Sequence, residues 1–186
     1  MDLSTELSVS RQTVGIALVR LAQDGLVLNL PNRGASVRSV TVSEALSILR
    51  IREALEGTAA SMASESATDG ELAELREIVE KMESEEDLAG LKLFTELNAR
   101  FHGLIIQAAR NETLERLLAS LNYSLVRYQY RTILVPGRRV LSLREHRLIL
   151  HALEARDPEA AETAARSHVS RVRQTLAASA DMLSRA

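Results

Sequence analysis

Three histidines and one asparagine carry the strongest signal for chemistry in this sequence of 186 residues. Asn98 and His102 are four residues apart, so on a helix both project from one face and can touch one ligand. His146 and His168 each lie on the apolar stripe of a further predicted helix, which points them inward. His151 follows His146 by five residues, about 140° around a helix axis, and is therefore expected outside the site.

Neutral imidazoles together with an oxygen ligand suit a divalent transition metal. The sequence indicates a site in which Asn98, His102, His146 and His168 bind zinc, nickel, iron or manganese. A simpler interpretation stays open, in which each histidine is a separate core residue bonded to a backbone carbonyl or a water. A metallo-hydrolase is a third interpretation, but Glu145 points about 100° away from His146 and leaves no inward general base. We therefore do not expect an enzyme.

The composition excludes several other classes. Cysteine and tryptophan are absent, which excludes a disulfide framework, a zinc finger and a thiol nucleophile, and argues against a base-stacking platform. The net charge is −2, and residues 1–41 carry four arginines against three acidic residues, so charge alone does not indicate DNA binding. No apolar run approaches a membrane span and no signal peptide is visible, so we expect a cytoplasmic protein without a membrane partner.

The first 41 residues have the pattern of a helix-turn-helix followed by a hairpin. Leu3–Leu7 reads as the end of a helix, and Ser10 is a good N-cap for the next one, which ends at Gly25. Two short strands are predicted over residues 26–30 and 35–40, with turn-forming residues between them. Residues 1–41 are thus predicted to be a partial winged helix-turn-helix.

From Val42 onward the pattern predicts six helices. The first has apolar residues at helical spacing: Ile48, Ile51, Leu55, Ala59 and Met62. Later helix starts are marked by capping residues: Thr68 with Glu71, Asn111, Ser142 with Glu145, and Asp157 before Pro158. Short loops between helices favour an antiparallel bundle. The predicted fold is mostly α: a partial winged helix-turn-helix domain over residues 1–41 and an antiparallel six-helix bundle over residues 42–186.

These segments resemble a known family. The N-terminal part resembles the winged helix of GntR-type bacterial transcription regulators, in Val9-Ser10-Arg11-Gln12-Thr13-Val14, Asp24-Gly25-Leu26-Val27 and Asn32-Arg33-Gly34. The remainder resembles the FadR-type (FCD) effector domain, in Arg52, Glu56, Asn98-Ala99-Arg100-Phe101-His102, Asn111-Glu112-Thr113-Leu114, Glu145-His146 and residues 157–168. The resemblance runs from about residue 3 to residue 170, and six effector-domain helices look more like the VanR-type subgroup.

The resemblance implies that Asn98, His102, His146 and His168 occupy the family's metal-ligand positions. There the metal helps to hold a small carboxylate effector. The family usually has Asp at the first position, and Asn98 supplies an amide oxygen without the negative charge. Metal affinity should therefore fall, an anionic effector becomes more useful for completing the ligand shell, and a site that works without metal stays open.

Selectivity for a carboxylate effector needs a second polar contact, and the planar fork of arginine suits that group. The candidate effector-binding residues are Arg52, Arg127, Tyr128 and Arg131. Each also fits a role as a surface or intrahelical partner, as Arg52 would with Glu56 four residues later. Arg100 is two residues from both Asn98 and His102 and is expected to face away.

The DNA-binding candidates lie at the start of the second helix and at the wing: Ser10, Arg11, Gln12, Thr13, Arg33 and Gly34. The family usually places Arg-Glu where this chain has Gly15-Ile16. The first helix of the family's winged helix, and the strand after it, have no counterpart in this sequence. We therefore expect either that the true start of the protein lies upstream of Met1 or that its DNA-binding domain is truncated at the N-terminus. The predicted function is an effector-responsive regulator that binds palindromic operator DNA as a homodimer. The alternative is a metal- or small-molecule-binding protein that has lost DNA binding.

Overall fold

The N-terminal part of the chain forms two helices and a hairpin. A computed structural model describes residues 3–23, 26–30, 34–38, 40–84, 90–122 and 132–184. Helix α1 (Leu3–Glu6) is followed by α2 (Arg11–Gln23), and strands β1 (Val27–Leu30) and β2 (Gly34–Val37) pair antiparallel with Val27 opposite Val37. The Ser10 hydroxyl accepts a 3.0 Å hydrogen bond from the Thr13 amide, which confirms the predicted N-cap. The predicted helix end at Gly25 lies outside the described residues.

The described residues that follow include six further helices, and the fold is mostly α as predicted. They are α3 (Val42–Ser66), α4 (Asp69–Ser84), α5 (Gly90–Ala108), α6 (Glu112–Asn122), α7 (Arg138–Glu154) and α8 (Pro158–Ser184). No helix in the described ranges is long and apolar enough to cross a membrane.

Beyond Ser10, local capping chemistry sets three of the four later helix starts that were predicted from capping residues. Thr68 and Glu71 form the predicted capping box: the Thr68 amide donates to the Glu71 carboxylate over 2.8 Å, and the Glu71 amide donates to the Thr68 hydroxyl over 3.2 Å. Asn111 Oδ1 accepts from the Leu114 amide at 3.0 Å. Asp157 likewise accepts from an amide in the first turn of α8, three residues on.

The predicted capping box at Ser142 and Glu145 is wrong. Helix α7 already begins at Arg138, directly after Gly137, which adopts the left-handed conformation with φ of 77°. Ser142 and Glu145 therefore lie inside the helix, and both side chains are buried. Residues three apart share a helix face wherever they occur, so the spacing of a capping box also arises in a helix interior.

The core is a layer of apolar side chains between the helices, and its largest buried cluster draws on α3, α4, α5, α7 and α8. Helices α3 and α8 form the most extensive helix pair. Gly57 lies at their close approach, because a Cβ there would stand 2.4 Å from Cγ of Arg166. The predicted apolar stripe of α3 is confirmed in part: Ala59 is buried, and Ile48, Leu55 and Met62 pack partly buried against core clusters. Ile51 is 53% exposed, and the buried face of α3 also contains Arg52 and Glu56.

Candidate functional site

Three helices bring three histidines together in the core. His102 comes from α5, His146 from α7 and His168 from α8, and their ring centroids are 4.8 to 5.3 Å apart. One nitrogen from each ring lies within 4.8 Å of the others. His146 is fully buried and His168 nearly so, while His102 is partly exposed. The juxtaposition matches the sequence prediction, and the role of these histidines as metal ligands stays a prediction.

A buried carboxylate from α3 orients His102. Nδ1 of His102 lies 3.1 Å from Oε2 of Glu56, and the other oxygen of Glu56 accepts from Nε and Nη2 of Arg52 at 2.8 and 2.5 Å. An ionised carboxylate can only accept, so Nδ1 of His102 carries the proton. In the neutral ring Nε2 is then the nitrogen with a free lone pair, which is the form that binds a metal.

A second carboxylate makes the same contact with His168. Nδ1 of His168 lies 2.7 Å from Oε2 of Glu145. The same oxygen accepts from Nη2 of Arg138 at 2.8 Å, and Oε1 accepts from Arg171 at 3.3 Å. The expectation that Glu145 points away from the site is therefore wrong. Helix α7 packs against α3, α4 and α8, so a side chain rotated by 100° from His146 still meets a neighbouring helix.

His146 differs from the other two because it has no carboxylate. Neither ring nitrogen has a hydrogen-bond partner among the described residues, although the side chain is fully buried. Its ring packs on that of Phe101, with centroids 4.7 Å apart. Burial lowers the pKa of His146 well below its ordinary value, and repulsion from His168, His102 and Arg138 lowers it further. His146 is thus a neutral imidazole with two unused nitrogens.

Charge pairing keeps both carboxylates ionised. Burial alone would raise the pKa of Glu56, but Arg52 and the hydrogen bond with His102 outweigh it, and the pKa falls well below its usual range. Burial also opposes ionisation of Glu145, whose pKa is lowered by the hydrogen bonds with His168 and Arg138. For His168, burial lowers the pKa more than Glu145 raises it. The site therefore combines the ionised carboxylates of Glu56 and Glu145 with two imidazoles, His146 and His168, whose neutral form is favoured.

A cavity of about 350 Å³ opens beside the histidines. Its polar lining includes Asn98, His102, His168, Arg52 and Arg138. Apolar side chains complete the wall: Leu49, Phe94, Ile106, Ile133, Val169 and Val172. A volume of this size is at the lower end of the range for small-molecule sites. Asn98 therefore shares the cavity with His102, as the four-residue spacing predicted.

The effector-binding candidates have different outcomes. Arg52 is buried, lines the cavity and bonds to Glu56, so it fits both interpretations given for it. Arg127, Tyr128 and Arg131 lie outside the described residues. As predicted, Arg100 faces away, because it is exposed and bonds to Glu74 over 2.7 Å.

His151 is exposed, as predicted, and takes no part in the cluster. The sequence reasoning missed that Glu56 and Glu145 hold histidines and that Arg138 lines the cavity. The sequence did contain a signal for Glu145 and Arg138. These two residues are seven positions apart, or about two helical turns, and so share one helix face.

The DNA-binding candidates are all accessible where they are described. Ser10, Arg11, Gln12, Thr13 and Gly34 are exposed, and Arg33 lies outside the described residues. No residue of α2 is buried, and a Cβ at Gly15 would meet nothing within 4 Å.

Comparison with known proteins identifies the family. The FCD domain matches residues 47–171. The chain is 27% identical over 175 residues to the HTH-type transcriptional repressor RspR of Escherichia coli (strain K12), covering 94% of this chain and 77% of that protein.

Two solved structures share the fold. E. coli McbR/YncC superposes with a TM-score of 0.77 at 23% identity, covering 95% of this chain and 84% of that one. A GntR family regulator from Pseudomonas syringae pv. tomato gives a TM-score of 0.65 at 24% identity, covering 98% and 76%. With an FCD domain over most of its length and transcription regulators as relatives, the chain belongs to the GntR-type transcription regulators that carry an FCD domain.

Proposed function

We propose that this regulator binds operator DNA as a homodimer and senses a small carboxylate metabolite with the help of a bound divalent metal. The observation that carries the sensing half is the buried histidine cluster beside a cavity. Residues 1–41 would read DNA and residues 42–186 would sense the effector. In support of that boundary, α3 begins at Val42 with Thr41 as its N-cap. As a transcription regulator in a bacterium, the protein would act in the cytoplasm.

The donor set fits a transition metal. His146 has two buried nitrogens without partners in the described chain, which is costly unless a ligand takes one of them. His102 and His168 each bond a carboxylate through Nδ1, the arrangement that commonly orients metal-binding histidines. With Asn98 as an oxygen donor, these residues would hold zinc, with nickel or manganese as alternatives. When bound, the metal would supply a positive charge that attracts a carboxylate.

Hydrophobic packing offers a route from the cavity to the DNA-reading part. Leu49 and Val169 line the cavity and also belong to the cluster that buries Val40, just before α3. Arg38, which follows β2, pairs with Glu44 in the first turn of α3. An effector that shifts Leu49 or Val169 would therefore move the segment that joins the wing to α3.

Several features support a DNA interface at α2 and the wing. The first turn of α2 exposes Arg11, Gln12 and Thr13. Recognition helices reach bases and phosphates from this turn. Gly34 adopts a φ of 80° at the start of β2, a conformation that favours glycine at a hairpin tip. Arg33 would add a phosphate contact beside it.

Two measurements test the two halves of the proposal. Zinc titration by calorimetry should show one site per chain. His102→Ala should abolish this site, whereas His151→Ala, which replaces an exposed histidine, should leave it intact. Gel-shift titration should show preferential binding to a palindrome upstream of the protein's own gene, with an apparent mass of two chains per site. No zinc, nickel or manganese binding would refute the metal site. Equal binding to random DNA would instead favour a sensor that has lost DNA reading.

A further inference from the structure

Arg138 is a buried cation whose hydrogen-bonding capacity is only partly used. Its side chain is 5% exposed, and Nη2 donates to Oε2 of Glu145 over 2.8 Å. Nη1 is buried and has no hydrogen-bond partner among the described residues. A guanidinium has five N–H donors and no acceptor, so an unpaired buried nitrogen calls for an oxygen acceptor. Leaving it unpaired costs the desolvation of a charged group.

The position of Arg138 puts it within reach of a ligand of the histidine cluster. Arg138 lines the cavity, as do His102 and His168. Nη2 of Arg138 and Nδ1 of His168 contact the same oxygen of Glu145, at 2.8 and 2.7 Å, so the two nitrogens cannot be farther apart than those distances together. One small molecule in the cavity can therefore touch both groups.

The charges around the cavity favour an anion. Arg52 and Glu56 form a pair that leaves no net charge. The single carboxylate of Glu145 is contacted by two arginines, Arg138 and Arg171, which leaves an excess positive charge at this end. A buried cation is stabilised by an opposite charge that also completes its hydrogen bonds.

We propose that Arg138 binds a carboxylate group of the effector through Nη1 while Glu145 holds Nη2 in place. This inference rests on the proposed sensing function and names the residue that selects acids in it. Because Arg138 offers only donors, it would accept a carboxylate and reject the matching amide, which lacks the charge and carries an NH2 donor. Arg138 is thus a specificity-determining residue, and it does not bind the metal.

The test uses simple acids and their neutral analogues as probes. Acetate, glycolate and succinate, each paired with its amide, are titrated by calorimetry into the full chain with and without zinc. We expect at least one acid to bind and its amide to bind far more weakly. Arg138→Gln should weaken that acid about 10- to 100-fold, as expected for a lost charge-assisted hydrogen bond, and change zinc affinity less than about threefold.

Arg171→Gln is the matched control. Arg171 also donates to Glu145, but its side chain is 55% exposed and does not line the cavity. It should leave acid affinity nearly unchanged. An equal loss in both variants would mean that the effect travels through Glu145, and it would overturn the proposal.

The remaining outcomes separate this inference from the proposed function. Zinc binding without binding of any acid would overturn the role of Arg138 and leave the metal site standing. Acid binding that depends on Arg138, without any zinc binding, would overturn the metal site and leave the role of Arg138 standing. If Arg138→Gln does not fold, Arg138→Lys carries the test, because it keeps the charge and loses the planar fork. Unchanged acid affinity in Arg138→Lys would then refute a contact through Nη1.

Discussion

Replacing His146 should make the stability of the metal-free protein less sensitive to pH. His146 is fully buried, and burial lowers its pKa well below the ordinary value of 6.5. In the unfolded chain the ring regains an ordinary pKa and binds a proton in mildly acidic solution, whereas the folded protein keeps the ring neutral. Acid therefore favours the unfolded state through this residue.

The size of the effect follows from proton linkage. Above pH 6.5 the ring is neutral in both states and its contribution to stability is complete. Below that pH, stability falls by up to about 1.4 kcal/mol per pH unit for one proton bound only by the unfolded chain. Between pH 7.5 and 5.5, His146 alone should cost about 1.4 kcal/mol, and His168, whose pKa is also lowered, acts in the same direction.

Urea unfolding in the presence of a chelator, at intervals between pH 5.5 and 7.5, measures this loss. His146→Phe keeps a ring of similar size without a titrating group, and it should reduce the loss by about 1.4 kcal/mol relative to the wild type. His151→Phe, on the exposed side of the same helix, is the matched control for replacing a histidine of α7. Equal slopes for His146→Phe and the wild type would refute the conclusion that the ring is buried and neutral.

Three further predictions concern affinity, packing and DNA. Asn98→Asp should strengthen zinc binding in calorimetry, because it adds a negative ligand, and weaker or equal binding would contradict a ligand role. Phe101→Ala removes a fully buried ring and should lower the free energy of unfolding by about 3–5 kcal/mol in urea titrations. Leu148→Ala, at an exposed position, is the control and should lower it by less than about 1 kcal/mol. Arg11→Ala should lower operator affinity by about 1–3 kcal/mol in gel shifts, and an equal loss on random DNA would assign it to phosphates.

Helix starts were predictable from the sequence where they depend on neighbours along the chain. The hydroxyl of Ser10 and the side chain of Asn111 each accept from an amide three residues later, and this chemistry needs no information about the rest of the fold. Ser142 and Glu145 have the same spacing but lie within a helix that begins at Arg138. That start depends on the left-handed Gly137, and periodicity does not report a backbone conformation.

The site was predictable in its histidines and not in its carboxylates. His102, His146 and His168 follow the helical period of the core, so their convergence could be expected once a bundle was assumed. Glu56 and Glu145 have charged side chains, which are seldom buried without a partner. Each pairs with an arginine of its own helix, Glu56 with Arg52 and Glu145 with Arg138, at a spacing that the sequence shows. Their contacts with histidines come from other helices and appear only when the helices are packed.

The polar core of this domain links ligand binding to stability. His146 and Arg138 each bury a nitrogen without a partner in the described chain, so the ligand-free fold bears a desolvation cost at its centre. A ligand that bonds these nitrogens removes that cost and stabilises the packing of α3, α7 and α8 around the cavity. Because α3 also packs on Val40 at the junction with the wing, the same stabilisation would restrict the DNA-reading part. In the proposed regulator, a metal at His146 and an acid at Arg138 would together stabilise this packing and, through α3, the segment around Val40 that joins it to the wing.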